Sequence, residues 1–245
     1  MDKSLSQQEK AITILKKRHP WLYTDMTEPL RLGTADRCII EEDYVIIRVA
    51  ETWIWAVFSD SAEEKAALRV KSLMKEHDGL CLHCDHDPQK TRDIFGIKDK
   101  LIPCYIAVIN QPKRFEINTD ALLRPLTHEY DDFVIEHYRM AKFFTNPKET
   151  FHRLIDQGMT GAFIDEEIAG FIGSQPEGSI GMLEVMEKFR RRGIGKALEQ
   201  FRINTYIDEG KVPYCHILEN NAASLALEKA LGYDISDKSC IYWLN

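Results

Sequence analysis

The sequence of 245 residues has no apolar run of the about 18 residues that a membrane-spanning helix needs. Its first residues, MDKSLSQQEKAITILKKRH, are charged and amphipathic, and they lack the uninterrupted apolar core of a secretory signal peptide. Six cysteines are scattered along the chain, which does not favour a disulfide framework. These absences predict a soluble cytoplasmic protein with reduced thiols and no membrane partner.

Basic charge is also scarce. The chain has 32 Lys and Arg against 39 Asp and Glu, a formal net charge of −7. A nucleic-acid-binding domain needs a basic face, so no nucleic-acid partner is expected. One local basic cluster lies between Lys188 and Lys196. The excess of acidic over basic residues in the chain as a whole suits a cationic ligand.

Two common phosphate-binding motifs are missing. No Gly-Lys-Ser/Thr sequence ends a P-loop, and no stretch has the three-glycine spacing of a dinucleotide fingerprint. Internal repeats and low-complexity stretches are also missing. What remains is a chain long enough for one large domain or two compact ones, with 44% hydrophobic residues to form an ordinary core.

The first half mixes short β-branched runs with amphipathic helical patterns. Ser6 is placed to cap an opening helix that ends near His19-Pro20. Strands are predicted at 38–40, 44–49, 52–58, 80–84 and 104–109. Helices are predicted around 89–95 and on an apolar pattern formed by Ala66, Leu68, Val70 and Leu73. This mixture predicts an α/β or α+β unit.

The second half begins after a turn at 111–114. Pro147 suits the first turn of a helix, and Thr127 can cap another. Strands are predicted at 121–126, 161–164, 168–173, 180–185 and 212–218. We predict two domains, 1–118 and 119–245.

The segment from Gly181 to Leu198 carries recognisable chemistry. A strand leads into a loop with three arginines and two glycines, and an amphipathic helix follows. A helix N-terminus exposes free N–H groups and a partial positive charge, and bare glycines let a phosphate approach them. A tight turn beside a solvated basic face is the plainer alternative. The residues predicted to bind a pyrophosphate are Arg190, Arg191, Arg192, Gly193, Ile194, Gly195 and Lys196.

The pattern Arg190-x-x-Gly193-x-Gly195 between a strand and a helix resembles the acyl-CoA pyrophosphate motif of the GNAT superfamily of N-acetyltransferases. Other stretches resemble the same family in the same order: a first strand in LLRPLT (122–127), Asn221-x-x-Ser224, and Leu231-Gly232-Tyr233. The resemblance covers residues 119–245. The whole arrangement also resembles, more loosely, glycine N-acyltransferase-like proteins, which implies a degenerate GNAT-like N-terminal half that shapes the acceptor pocket.

The resemblance implies a mixed sheet whose fourth and fifth strands splay apart around an acyl-CoA. The pantetheine arm would pair with the backbone around Leu183 and Val185, and Asn221 would contact the cofactor or hold the splay. A neutral amine would attack the thioester, with a backbone N–H near Val185 stabilising the oxyanion. Acetyl-CoA is the expected donor, because no feature marks a pocket for a longer acyl chain. No metal is expected.

The residue types that serve as catalytic base and acid in the family are not found at the matching positions of this sequence. The family's carboxylate base matches Ser179 or Gly181, and neither can serve. Glu177 and Glu184 are nearby substitutes, although strand alternation predicts that Glu184 faces away from Gly181. The family's tyrosine acid matches Glu228, which could protonate the leaving thiolate or leave that step to solvent. We predict Glu184 and Glu228 as catalytic residues, an exposed strand-end glutamate being the alternative for Glu184.

A second constellation contains metal-ligating residue types: Cys81, His83, Cys84 and His86, with His77 upstream. Cys-x-x-Cys beside histidines can begin a zinc site. No second Cys/His pair follows at finger spacing, so a buried strand end is the favoured interpretation. His216, on a later strand, is likewise predicted to be a buried, hydrogen-bonded histidine.

The sequence thus predicts an enzyme that transfers an acetyl group from acetyl-CoA to the primary amine of a small molecule. A protein N-terminus or lysine is the alternative acceptor. The missing acid and base keep a non-catalytic acyl-CoA-binding module as a rival, and an interaction protein that retains only the fold is a third hypothesis. The sequence leaves open whether the chain forms a homodimer.

Overall fold

The computed structural model describes residues 5–50, 54–59, 63–75, 78–84, 88–96, 102–144, 146–239 and 241–244. The chain divides into two compact units. The first contains Met1–Asn110 and Tyr214–Asn245, and the second contains Gln111–Pro213. The predicted family boundary at residue 119 stays a prediction, since the division into compact units follows packing rather than chain order.

The elements alternate as the sequence pattern predicts, and the architecture is α+β. The first part of the chain contains α1 Gln7–Arg18, α2 Thr24–Leu32, β1 Ala35–Ile40, β2 Tyr44–Val49, β3 Ile54–Ser59, α3 Glu63–Lys71, β4 Gly79–Cys84, α4 Pro88–Phe95 and β5 Ile102–Val108. The second unit contains β6 Leu122–Pro125, α5 Asp131–His137, α6 Pro147–Asp156, β7 Thr160–Ile164, β8 Glu167–Ser174, β9 Ile180–Val185 and α7 Ile194–Asp208. The chain returns to the first unit with β10 Tyr214–Leu218, α8 Ala222–Leu231, β11 Asp234–Ile235 and β12 Ile241–Leu244.

Local signals explain the helix starts. Ser6 and Glu9 form a capping box at α1: the Glu9 amide donates to Ser6 Oγ, and the Ser6 amide donates to Glu9 Oε2 at 2.7 Å. Pro147 occupies the first turn of α6, as predicted. Leu68, predicted on the apolar side of α3, is instead 53% exposed, because the buried face of that helix carries Ala66, Ala67 and Val70.

The sheet of the first unit has the order β1-β2-β3-β4-β12-β5-β10, and β11 also pairs with β5. β3 and β4 are parallel, whereas β12 is antiparallel to both of its neighbours. A strand from the C-terminal end of the chain therefore lies between two strands of its first half.

The sheet of the second unit is antiparallel, in the order β6-β7-β8-β9, so β9 is an edge strand of that sheet. Helices α5 and α6 pack on one of its faces. The core there contains Val134, Phe151, Leu154, Phe171 and Met182.

A β-bulge interrupts β9 and overturns the alternation expected for Glu184. Phe171 pairs with Glu184, but Gly173 pairs with Gly181, so β9 has one extra residue opposite Ile172. Met182 has a φ of 55° there. Phe171 and Gly173 are two residues apart and share a face, so Glu184 lies on the same face as Gly181. Without the bulge, Gly181 and Glu184 would lie on opposite faces of β9. The extra residue places them on the same face.

Among the described residues, no helix combines the length and the apolar character that crossing a membrane requires.

Candidate functional site

The predicted anion-binding loop connects the edge strand β9 to α7. A 3-10 turn at Glu187–Phe189 follows the strand, and the buried ring of Phe189 anchors it. Gly193 then forms the N-cap of α7 with a φ of 79°, and no side chain of the described residues caps that end. The first amides of α7 are therefore left without a side-chain acceptor, as an anion-binding helix start requires.

Cationic side chains surround this helix start, but they are not equivalent. Arg191 and Lys196 are exposed and have no ion pair among the described residues. Arg192 pairs with Asp120 at 2.5 Å, and its guanidinium lowers the pKa of that carboxyl. The Nε of Arg190 donates to the Val185 carbonyl at 3.1 Å. Arg191 and Lys196 are thus the cations most available to an anion.

The two glycines of the motif differ in backbone conformation and surroundings. A Cβ at Gly193 would meet no atom within 4 Å, so the glycine is explained by its positive φ and leaves open space. A Cβ at Gly195 would lie 3.4 Å from Val185 Cγ2 and 3.9 Å from Leu183 Cδ2. A side chain at Gly195 would therefore make ordinary contacts with β9, and packing does not require a glycine at this position.

The face of β9 that carries Glu184 is rich in polar groups. Glu184 is buried, and its Oε1 accepts a hydrogen bond from Arg139 Nε at 2.9 Å. The Nε2 of Gln175 donates to the hydroxyl oxygen of Tyr138 at 2.8 Å. Burial raises the pKa of Tyr138 to about 12, and the charges of Glu177 and Glu184 act in the same direction.

Sequence reasoning missed Tyr138, Arg139 and Gln175, because nothing in their local pattern marks them. They come together with Glu184 only through the fold of the second unit. Glu177, which is also buried, accepts a hydrogen bond from the Ser179 hydroxyl at 2.6 Å.

Two predicted site residues, Asn221 and Glu228, belong to the first unit. The side-chain oxygen of Asn221 accepts from the Ser224 amide at 3.1 Å and so caps α8. Glu228 lies on α8, is 3% exposed, and accepts from the Ser224 hydroxyl at 3.4 Å. Their predicted roles, cofactor contact and acid catalysis, stay predictions.

Cys81 and His83 of the second constellation are buried on β4, where both lie next to Asp25 of α2. His77, His86 and the side chain of Cys84 lie outside the described residues. The side chain of His216 is 7% exposed, and its Nε2 lies 3.4 Å from Asp25 Oδ2. Asp25 was missed because α2 was not predicted: Pro29 lies inside it and normally marks a helix end.

The second unit is an α+β domain in which an open helix start follows an edge strand, with the exposed cations Arg191 and Lys196 beside it. Residues 123–233 match the model of the acetyltransferase (GNAT) family. This part of the chain therefore belongs to the GNAT acetyltransferases. The looser resemblance to glycine N-acyltransferase-like proteins stays a prediction.

Solved structures share the fold over nearly the whole chain. A Drosophila protein is 17% identical with a TM-score of 0.68, and the match covers 98% of this chain and 96% of that one. An acetyltransferase from the GNAT family of Novosphingobium aromaticivorans is 14% identical with a TM-score of 0.56, covering 91% and 95%. A GCN5-related N-acetyltransferase-like protein from Streptococcus suis is 13% identical with a TM-score of 0.55, covering 95% and 98%. No curated protein matches the chain.

Proposed function

We propose that the protein transfers the acetyl group of acetyl-CoA to the primary amine of a small molecule. The observation that carries the proposal is the open N-terminus of α7, where Gly193 adopts a positive φ and Arg191 and Lys196 stay free of ion pairs. Family membership of residues 123–233 supports acyl transfer as the chemistry.

The loop fits the diphosphate of coenzyme A on physical grounds. The space beside Gly193 admits an anion close to the backbone, and the helix start supplies N–H donors with a partial positive charge. The guanidinium of Arg191 and the ammonium of Lys196 add formal charge at the same end. We expect these groups to bind the diphosphate. The affinity of the protein for acetyl-CoA should therefore fall as the salt concentration rises.

The polar face of β9 is the proposed place for the amine. Glu177 and Glu184 are buried carboxylates whose charges both raise the pKa of Tyr138, and Arg139 offsets one of them, so this face suits an ammonium or a developing positive charge. The amine attacks the thioester carbonyl, a backbone N–H near Val185 stabilises the oxyanion, and coenzyme A leaves as a thiolate. Glu184 is the proposed base, and Arg139 orients it.

The test of the cofactor site is calorimetry with acetyl-CoA on the variant Gly193→Glu. A carboxylate at this position opposes the diphosphate, so affinity should fall by at least about 100-fold. Gly193→Ala reports the backbone strain alone and should keep most of the affinity. Gly210→Glu is the matched control, because Gly210 follows the opposite end of α7 with a φ of 66° and equally open space.

Wild-type affinity in Gly193→Glu would exclude this loop as the diphosphate site. A similar loss in Gly210→Glu would show that the effect is one of overall charge or folding, and it would also count against the site.

One observation favours a second candidate, a module that binds acyl-CoA without turnover. Arg139 already donates a hydrogen bond to Glu184 Oε1, so one of the two oxygens of the proposed base is occupied. Release of free thiol from acetyl-CoA, measured with a panel of amines, separates the two. Turnover with any amine supports the enzyme, whereas binding without release on every amine supports the binding module.

A further inference from the structure

A cluster of metal-ligating side chains is buried inside the first unit, remote in sequence from the loop that connects β9 to α7. His83 Nε2 lies 2.6 Å from both carboxylate oxygens of Asp25, and Cys81 Sγ lies 3.7 Å from Asp25 Oδ2. The three residues offer ligand atoms that all lie within 4.8 Å of one another. Each is at most 3% exposed.

Within the part of the chain that the structure describes, one polar atom of this cluster lacks a partner. The Nδ1 of His83 is buried without a hydrogen-bond partner among the described residues. An unpaired polar atom in a core costs free energy unless a ligand or ion compensates for it. The carboxylate of Asp25 faces His83 and Cys81 in the interior, so an ion held by this carboxylate would also lie within reach of a ring nitrogen and a sulfur.

The set of atoms has the chemistry that zinc prefers. Thiolate, imidazole and carboxylate are the three common zinc ligands in proteins, and the soft thiolate disfavours magnesium and calcium. His216 approaches Asp25 from another strand, β10, with its Nε2 3.4 Å from Oδ2. Ligating carboxylates are usually held by such an outer partner, which fixes their orientation.

We propose that Asp25, Cys81 and His83 bind one zinc ion, with His216 orienting the Asp25 carboxylate. The ligands come from α2 and β4, and the orienting histidine comes from β10, so the ion joins segments of the first unit that are far apart in sequence. Its role is to stabilise this unit. The proposal is independent of the acyl transfer reaction.

The test uses the full-length protein without an affinity tag, loaded separately with zinc and with cobalt. Wild type should hold one zinc per chain and give the cobalt–thiolate charge-transfer absorption of a sulfur-ligated ion. Cys81→Ser should abolish that absorption. It should also weaken zinc binding at least as much as the about 10- to 100-fold that loss of an outer partner costs. Cys104→Ser is the matched control, since Cys104 is an equally buried thiol on β5 of the same sheet.

A second group, on the surface, requires its own control. His128, His152 and Asp156 also lie within ligand distance of one another, but all three are exposed. The double variant His128→Ala/His152→Ala should keep the zinc stoichiometry and the cobalt absorption. Loss of the bound zinc in that variant, with zinc retained in Cys81→Ser, would place the ion on the surface and overturn the proposal.

X-ray absorption at the zinc edge of wild-type protein covers the case in which Cys81→Ser fails to fold. One sulfur at about 2.3 Å with nitrogen and oxygen ligands is expected. A shell without sulfur, or folded protein that binds no zinc, would instead mean that Asp25 and His83 form only a hydrogen-bonded pair in the core.

Discussion

At the scale of single residues, Arg191 and Gly193 give the loop before α7 its shape. Both have positive φ, 67° and 79°. Glycine adopts this region freely, but a residue with a Cβ pays on the order of 1–3 kcal/mol for it. Arg191 is exposed, so packing does not explain why this strained position carries an arginine. The proposed diphosphate site would explain it, since it needs a cation in this loop.

The ion pair of Arg192 leads to a prediction about Asp120. The carboxylate of Asp120 neutralises Arg192 beside the proposed diphosphate site, so Asp120→Asn frees a cation there. Affinity for acetyl-CoA should rise by about two- to fivefold at low salt, and the gain should shrink at high salt. Asp208→Asn is the control, because Asp208 also pairs with an arginine, Arg114, at the far end of α7. An equal gain in both variants would mean that only net charge matters.

The raised pKa of Tyr138 predicts that the folded protein loses stability at alkaline pH. Its hydroxyl stays protonated in the folded state up to a pKa of about 12, whereas an unfolded tyrosine ionises near 10. Stability is therefore complete below about pH 10 and falls as the pH rises to about 12, by on the order of 2 kcal/mol for this group. In urea titrations at each pH, Tyr138→Phe should show a shallower decline than wild type. Tyr130→Phe, at a half-buried ring, controls for the loss of one tyrosine hydroxyl from the same unit.

At the scale of elements, β9 shows where sequence reasoning succeeds and where it fails. Alternation and the Arg-Gly loop were enough to predict the strand, the turn and the start of α7. The bulge was not predictable, because Met182 is a residue type that does not favour a φ of 55°. Strand pairing imposes that conformation. The partners of Glu184 were also hidden, since Arg139 is 45 residues away and meets it only in the folded unit.

The pairing of β8 with β9 depends on Gly170. A Cβ there would lie 2.6 Å from the backbone oxygen of Glu184 and 3.3 Å from Leu198 Cδ1. Gly170→Ala must therefore push β9 or α7 away, and it should lower the free energy of unfolding by about 1–3 kcal/mol. Gly79→Ala is the control: it also lies in a strand, but its Cβ would make an ordinary 3.5 Å contact with Ile54. Equal urea midpoints for the two variants would contradict the steric argument.

At the scale of the whole molecule, the sheet of the first unit is continuous only because β12, from the last part of the sequence, lies between β4 and β5. β12 pairs with β4 through Ile241 and His83, and with β5 through Ile241 and Cys104. Local patterns cannot reveal such a pairing, because its partners are more than a hundred residues apart in the sequence. This is why Asp25, Cys81 and His216 were not seen as neighbours in the sequence.

The last prediction tests whether β12 holds the first unit together. Ile241 is fully buried, so Ile241→Ala should cost about 2–5 kcal/mol through the cavity that it leaves. Amide hydrogen exchange, measured by mass spectrometry in a buffer with a chelator, should rise in β4 and β5 and stay unchanged in β6 to β9. Leu68→Ala, at a 53% exposed position of the same unit, should change neither. A uniform rise over both units would mean that they unfold as one, and unchanged exchange in β4 and β5 would mean that β12 adds pairing without stability.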